Sequence, residues 1–308
     1  MSALDRTLGG RTWHSPEWTI SELVRAKGAR TVSVVLPALN EESTVGTVVA
    51  SVRPLLGTLV DEIVVVDSGS TDGTIRVAEA AGARVVSGAD VLPDIASRPG
   101  KGEVLWRSLA ATSGDLLVFL DTDLIDPDPA FVPSLLGPLL TVTGVHLVKG
   151  FYRRPLRLET GEMGDGGGGR VTELLARPVL SALRPDLGGV IQPLGGEYAA
   201  TRDFLESVPF AAGYGVEIGL LLDAHTRYGL DGIAQVNLGV RRHRNRSLPQ
   251  LGVMARQVLG TALARCGIES GSGEMTQFVQ VAGEWLPDRI DVLVADRLPM
   301  REVVAQRA

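Results

Sequence analysis

The chain has a single cysteine, Cys266, among its 308 residues. No internal disulfide can form, and a reducing, cytoplasmic setting is expected. An excess of positive charge is also missing: 30 basic residues stand against 36 acidic ones, for a net charge of −6. That excludes a nucleic-acid binder working by overall basicity. No apolar segment follows Met1-Ser2-Ala3-Leu4-Asp5-Arg6, so no signal peptide is expected. Unbroken apolar runs of membrane length are absent too. The longest uncharged stretch, Pro129 to Val148, is interrupted by Pro133, Pro138, Gly137 and Gly144, which a lipid-exposed helix tolerates poorly. Lysine is scarce. Only Lys27, Lys101 and Lys149 occur, so arginine supplies the other 27 of the 30 basic residues. What remains is a chain that is 44% apolar and 21% charged, the composition of a soluble globular protein. Its length allows one large α/β domain or one domain with a smaller appendage.

A polar arm, Met1 to Arg30, precedes the first strand pattern at Thr31–Pro37. Further strands are predicted at Glu62–Asp67 and Asp115–Asp121, with a weaker one at Ala83–Ser87. Helical patterns lie between them at Glu42–Leu56, Thr74–Ala81 and Glu103–Thr112. The alternation β-α-β-α-β, with near-continuous apolar strands, predicts a doubly wound, mostly parallel sheet covered on both faces. Residues 31–150 therefore read as a nucleotide-binding α/β half. The second half, 151–266, is less regular and reads as a smaller acceptor-binding part. It has a glycine-rich loop at Gly161–Gly169, a helical stretch from Arg170 to Leu183 and another ending at Tyr228. A strand at Ile233–Val240 runs into Arg241-Arg242-His243-Arg244-Asn245-Arg246, and a helix is expected over Leu248–Cys266. Beyond Ile268 the periodicity fades, so 267–308 is expected to be a partly ordered tail.

Ligands of wound sheets bind beyond the carboxyl ends of the strands. Those ends carry Pro37-Ala38-Leu39-Asn40-Glu41, Asp67-Ser68-Gly69-Ser70-Thr71-Asp72-Gly73 and Asp121-Thr122-Asp123. Strand alternation sends Asp121 and Asp123 to one side, where two carboxylates can share a hard divalent cation and nucleotide phosphates. Glu41 can accept hydrogen bonds from ribose or a base N–H, or serve as a helix N-terminal acid. Asp67 and Asp72 read equally well as turn formers and stay outside the site. Lys101, between Gly100 and Gly102, suits a diphosphate, though such a stretch can also be a flexible turn. His243 follows a strand among arginines and can complete a metal site beside Asp123, while the arginines line either a pyrophosphate or a solvated face. The glycine-rich loop lacks the Gly-Lys-Ser/Thr ending of a P-loop. Arg170 and Thr172 at the following helix start suit an anionic acceptor. Glu217 sits in an apolar stretch and can steady a sugar or a developing oxocarbenium charge.

The segments Val35–Glu42, Val66–Thr74 and Phe119–Asp123 resemble the signature of GT-A glycosyltransferases. With Arg98–Glu103, Lys149–Pro155, Gly213–Gly219 and His243–Arg246, the chain more closely resembles the glucosyl-3-phosphoglycerate synthase family, from about Trp13 to Cys266. The resemblance implies a GT-A fold and a retaining transfer of glucose from UDP-glucose to the 2-hydroxyl of 3-phosphoglycerate. This is the first step of methylglucose lipopolysaccharide synthesis in mycobacteria. It implies Mg²⁺, or Mn²⁺ or Co²⁺, held by Asp123 and His243. Pro37, Ala38, Leu39, Glu41, Ser68, Lys101, Asp121 and Thr122 would hold UDP-glucose. Arg170, Thr172, Asn245 and Arg246 would hold 3-phosphoglycerate, with Glu217, Asp123 and His243 acting at the reacting groups. Thr122 departs from the serine expected in the acidic motif. A homodimer is implied as well, with neither nucleic acid nor membrane as partner. Three rivals are weighed against this: a mannosyl-3-phosphoglycerate synthase using GDP-mannose, a sugar-phosphate nucleotidyltransferase, and a non-catalytic nucleotide-sugar sensor. The nucleotidyltransferase would need a basic, glycine-rich start that is not found here.

Overall fold

The computed structural model describes residues 8–153, 156–157, 163–164, 169–241, 247–271 and 273–307. Its first half follows the valine-rich runs. After a two-residue strand β1 (Thr12–Trp13) and helix α1 (Ile20–Lys27), β2 (Val32–Ala38), α2 (Val45–Val52), β3 (Glu62–Asp67), α3 (Thr74–Ala81) and β4 (Arg84–Ser87) succeed one another. Then come α4 (Lys101–Ala111), β5 (Leu116–Phe119), α5 (Phe131–Thr141) and β6 (Leu147–Arg153). A short ladder joins β7 (Leu156–Arg157) to β8 (Met163–Gly164). The remainder is α6 (Arg177–Leu183), β9 (Tyr198–Thr201), α7 (Arg202–Ser207), α8 (Val216–Tyr228), β10 (Ile233–Val240), α9 (Leu248–Arg265), β11 (Glu274–Val281), β12 (Glu284–Asp291) and α10 (Met300–Ala305).

Eight strands form one sheet in the order β1-β10-β6-β9-β5-β2-β3-β4. All pairings are parallel except those of β9, which runs antiparallel to both β5 and β6. Alternation along the strands feeds two cores. Val34, Leu36 and Val118 pack on one face with Val45, Val49 and Leu135. Val35, Leu117 and Phe119 pack on the other with Trp106, Phe204 and Leu221. Burial on both faces explains why these strands read as unbroken apolar runs. The sheet continues across residue 150, so strands of the second half (β9, β10) share its core.

One segment goes beyond the expectation and another departs from it. The uncharged stretch with its breakers folds as α5, placing Pro133 in the first turn, where a missing N–H costs nothing, and tolerating Pro138 inside. Gly137 lies so close to the Trp18 ring that a Cβ there would collide with it. Among the described residues no helix is long and apolar enough to cross a membrane. The segment from 267 is not a fading tail. Strands β11 and β12 form a hairpin whose turn, Ala282-Gly283, has φ of +52° and +90°, the left-handed pair of a tight hairpin turn. Farther on, Met300 and Val303 enter the second core, Trp106 Nε1 donates to Leu298 O at 2.9 Å, and Arg297 pairs with the buried Glu103 at 2.6 Å.

Candidate active site

The polar loops at the strand ends are stitched together by their own short side chains. Ser68 donates from both N and Oγ to Ala38 O at 2.9 Å, and Thr122 Oγ1 donates to Pro37 O at 2.7 Å. The middle residue of Asp121-Thr122-Asp123 thus fastens the acidic loop to the first strand end. Threonine keeps the hydroxyl that serine would provide. Asn40, left-handed at φ +55°, donates its N–H to Ser70 Oγ at 2.9 Å and accepts from Thr71 N at 2.8 Å. Pro37, Ala38, Ser68 and Thr122 are therefore neighbours, with Leu39 exposed beside them. Glu41 follows on the same loop, its Oε2 accepting from Thr44 Oγ1 at 3.0 Å. Asp67 accepts from Gly69 N and Ser70 N, and Asp72 from Thr74 N and Glu42 N, which makes both loop formers.

Beside these loops lies a cluster of buried charges. Lys101 opens α4 and Glu217 lies in the first turn of α8. The two helix starts approach closely because Gly100 (φ +109°) and Gly102 face Gly213 and Ala211, where any Cβ would clash. Lys101 Nζ consequently lies 2.7 Å from Glu217 Oε1 and 2.5 Å from Asp121 Oδ1. Arg241 Nη2 lies 2.6 Å from Asp121 Oδ2 and 3.1 Å from Asp123 Oδ1, while its Nε lies 2.8 Å from Glu197 Oε1. Gly196 abuts the Asp121 carboxylate, leaving no room for a side chain. Below, Lys149 Nζ donates to Gly195 O at 2.6 Å and sits 4.8 Å from the centroid of the Tyr198 ring.

Lys149, Glu197, Tyr198, Glu217 and Arg241 are each at most 4% exposed. Ionised groups persist there only because they are paired. Burial would lower Lys101, but the carboxylates of Asp121 and Glu217 prevail and hold it well above its ordinary value, so it stays a cation. Burial and the neighbouring charge of Asp121 push Asp123 up to about 6. Burial pulls Lys149 down to about 8.

Sequence reasoning missed Arg241, Glu197, Lys149 and Tyr198. The scarcity of lysine marks Lys149, and the basic run marks Arg241. No pattern marks Glu197 or Tyr198, whose strand β9 pairs out of chain order. Of the residues expected at the acceptor, Arg170 is exposed at the start of a helical stretch and Thr172 is buried where a wide π turn, Thr172–Ala176, leads into α6. His243, Asn245 and Arg246 lie outside the described residues. The oxygen donors of Asp121 and Asp123 fit a hard divalent cation, and Asp123 in particular is a partly buried carboxylate beside another negative charge, which such an ion would relieve.

A parallel sheet with one reversed strand, whose strand ends carry an Asp-X-Asp loop backed by lysine and arginine, defines a nucleotide-sugar transferase of the GT-A type. Residues 33–154 match the family model of Glycosyl transferase family 2. The chain belongs to the glucosyl-3-phosphoglycerate synthase family, and is a metal-dependent glycosyltransferase. It is 63% identical over 295 residues to the glucosyl-3-phosphoglycerate synthase of Mycolicibacterium smegmatis, covering 96% of this chain and 97% of that one. The crystal structure of the Mycobacterium tuberculosis enzyme with Mn²⁺, UDP-glucose and phosphoglyceric acid superposes with a TM-score of 0.87 at 59% identity, covering 95% and 98% of the two chains. A structure of that enzyme with Mg²⁺ and UDP gives 0.88 at 59% identity and the same coverage.

Proposed function

We propose that the crevice between the stitched loops and the buried charge cluster transfers glucose from UDP-glucose to the 2-hydroxyl of 3-phosphoglycerate with retention of configuration. The observation that carries this reading is Lys101, fixed between Asp121 and Glu217, next to the loop that joins Pro37, Ser68 and Thr122. Pro37, Ala38, Leu39, Glu41 and Ser68 hold uracil and ribose, and Lys101 faces the diphosphate. Bound Mg²⁺ or Mn²⁺, held by Asp123 and His243, supplies positive charge to the departing diphosphate. Asp121 orients Lys101 and Arg241. Glu217, whose charge is committed to Lys101, steadies the sugar and its developing positive charge rather than forming a bond to it. Arg170, Thr172, Asn245 and Arg246 hold the acceptor's carboxylate and phosphate. In this division of labour 31–150 binds the donor and 151–266 the acceptor, in a cytoplasmic homodimer.

The test is product identification after incubating the chain with 3-phosphoglycerate, Mg²⁺ and either UDP-glucose or GDP-mannose. An α-linked glucosyl group on the acceptor's 2-oxygen, seen by NMR, is expected from UDP-glucose. Product from GDP-mannose alone overturns the donor assignment, and binding of both nucleotides without product overturns the transferase reading.

A further inference from the structure

We propose that Arg241 is a built-in counter-ion of Asp121 and Asp123, set in place by Glu197, and that it makes divalent-cation binding at those carboxylates depend on the nucleotide diphosphate. The inference rests on the crevice being a metal and nucleotide-sugar site. Arg241 follows the last residue of β10, and its N–H donates to Arg153 O at 3.0 Å. Its side chain is 3% exposed and its guanidinium carbon lies 5.5 Å from the centroid of the Tyr152 ring. Glu197, fully buried, takes the Nε side of the planar fork, and this leaves Nη2 aimed at both aspartates. Lys101 covers the other oxygen of Asp121. Each aspartate thus already shares a hydrogen-bonded cation.

Among the described residues the cluster sets four carboxylates (Asp121, Asp123, Glu197, Glu217) against three cations (Lys101, Lys149, Arg241), leaving one negative charge in excess. A divalent cation arriving alone must share Asp123 with a guanidinium and turns that balance positive in a partly buried site, where repulsion over a few ångströms is costly. A diphosphate arriving with it restores the balance. The chain therefore holds the cation with the diphosphate and resists it alone. Removing the Arg241 charge releases Asp123 and tightens binding of the lone cation, whereas a purely architectural arginine would loosen it on removal.

Mn²⁺ binding to the full chain, measured by electron paramagnetic resonance with and without UDP and corrected for Mn²⁺–UDP formation in solution, tests this. Arg241→Gln is compared with wild type. Since that change strips the buried Glu197 of its partner, Arg241→Gln/Glu197→Gln serves as the second neutral variant, and Arg241→Lys keeps the charge. Arg241→Gln, which leaves two negative charges in excess, is expected to bind Mn²⁺ alone at least about tenfold more tightly, with the enhancement by UDP reduced by the same factor. The double variant, which keeps one in excess, shares a smaller part of that gain through the release of Asp123, and the lysine variant keeps most of the UDP enhancement. Unchanged or weaker Mn²⁺ binding in a folded neutral variant overturns the proposal. So does wild-type binding of Mn²⁺ that is equally tight with and without UDP. A wild-type chain that binds no UDP under any condition would instead overturn the reading of the crevice itself.

Discussion

Lys101 links two parts of the proposed site, because one ammonium touches both Asp121, next to the proposed metal ligand Asp123, and Glu217, the carboxylate proposed to steady the sugar. Replacing it by alanine leaves Glu217 buried without its cation and takes charge from the departing diphosphate. Lys101→Ala is expected to lower kcat by about 10²-fold or more, the scale on which a single transition-state electrostatic contact acts. A steady-state assay on protein with an unaltered circular dichroism spectrum checks it; a kcat within threefold of wild type would remove Lys101 from the site. Arg170 acts at another step. Its loss should raise the KM for 3-phosphoglycerate about tenfold or more while changing that for UDP-glucose little, if it meets only the acceptor as proposed. At this scale the sequence was informative where a residue broke the chain's habits. Lys101 is one of three lysines, flanked by glycines, and it opens α4 in contact with Asp121 and Glu217. Glu197 broke no habit and was invisible, although it is the fully buried partner that fixes Arg241.

Elements with a clear apolar periodicity of their own were legible. β3 (Glu62–Asp67) and α3 (Thr74–Ala81) match the expected bounds, and β10 (Ile233–Val240) does as well. The misses have different causes. β9 is four residues long and pairs antiparallel between β5 and β6, and no local periodicity encodes that placement. The strands of the β11–β12 hairpin are largely exposed, so they lack the alternation that a buried face imposes. α10 was missed because its docking is electrostatic as well as apolar. Burial would raise the Glu103 carboxyl, but hydrogen bonds from Arg297 and Arg107 outweigh it and hold the carboxyl below its ordinary value. A depressed carboxyl stabilises the fold above its unfolded pKa, and that contribution is lost as the pH falls through the lower folded value. Arg297→Ala is therefore expected to destabilise the chain by roughly 3 kcal/mol near neutrality, as for a broken buried pair. Thermal melts between pH 7 and pH 3 should show its difference from wild type shrinking toward the acid end. A pH-independent difference would mean that the ion pair contributes nothing to docking.

Across the whole molecule, one sheet carries both halves of the proposed reaction. The loops proposed to hold the donor follow β2, β3 and β5, while Glu197 precedes β9 and Arg241 follows β10 in the other part of the same sheet. Gly100 and Gly102 against Gly213 bring the helix starts of the two halves into contact. Gly102→Ala should accordingly cost activity as well as stability by moving Lys101 away from Glu217. The measurement that tests the central claim most directly is UDP release from UDP-glucose by the wild-type chain, with 3-phosphoglycerate and the divalent cation each omitted in turn. Release that requires both is the predicted result. Release that proceeds at full rate without 3-phosphoglycerate, or equally fast in the presence of a chelator, would contradict it.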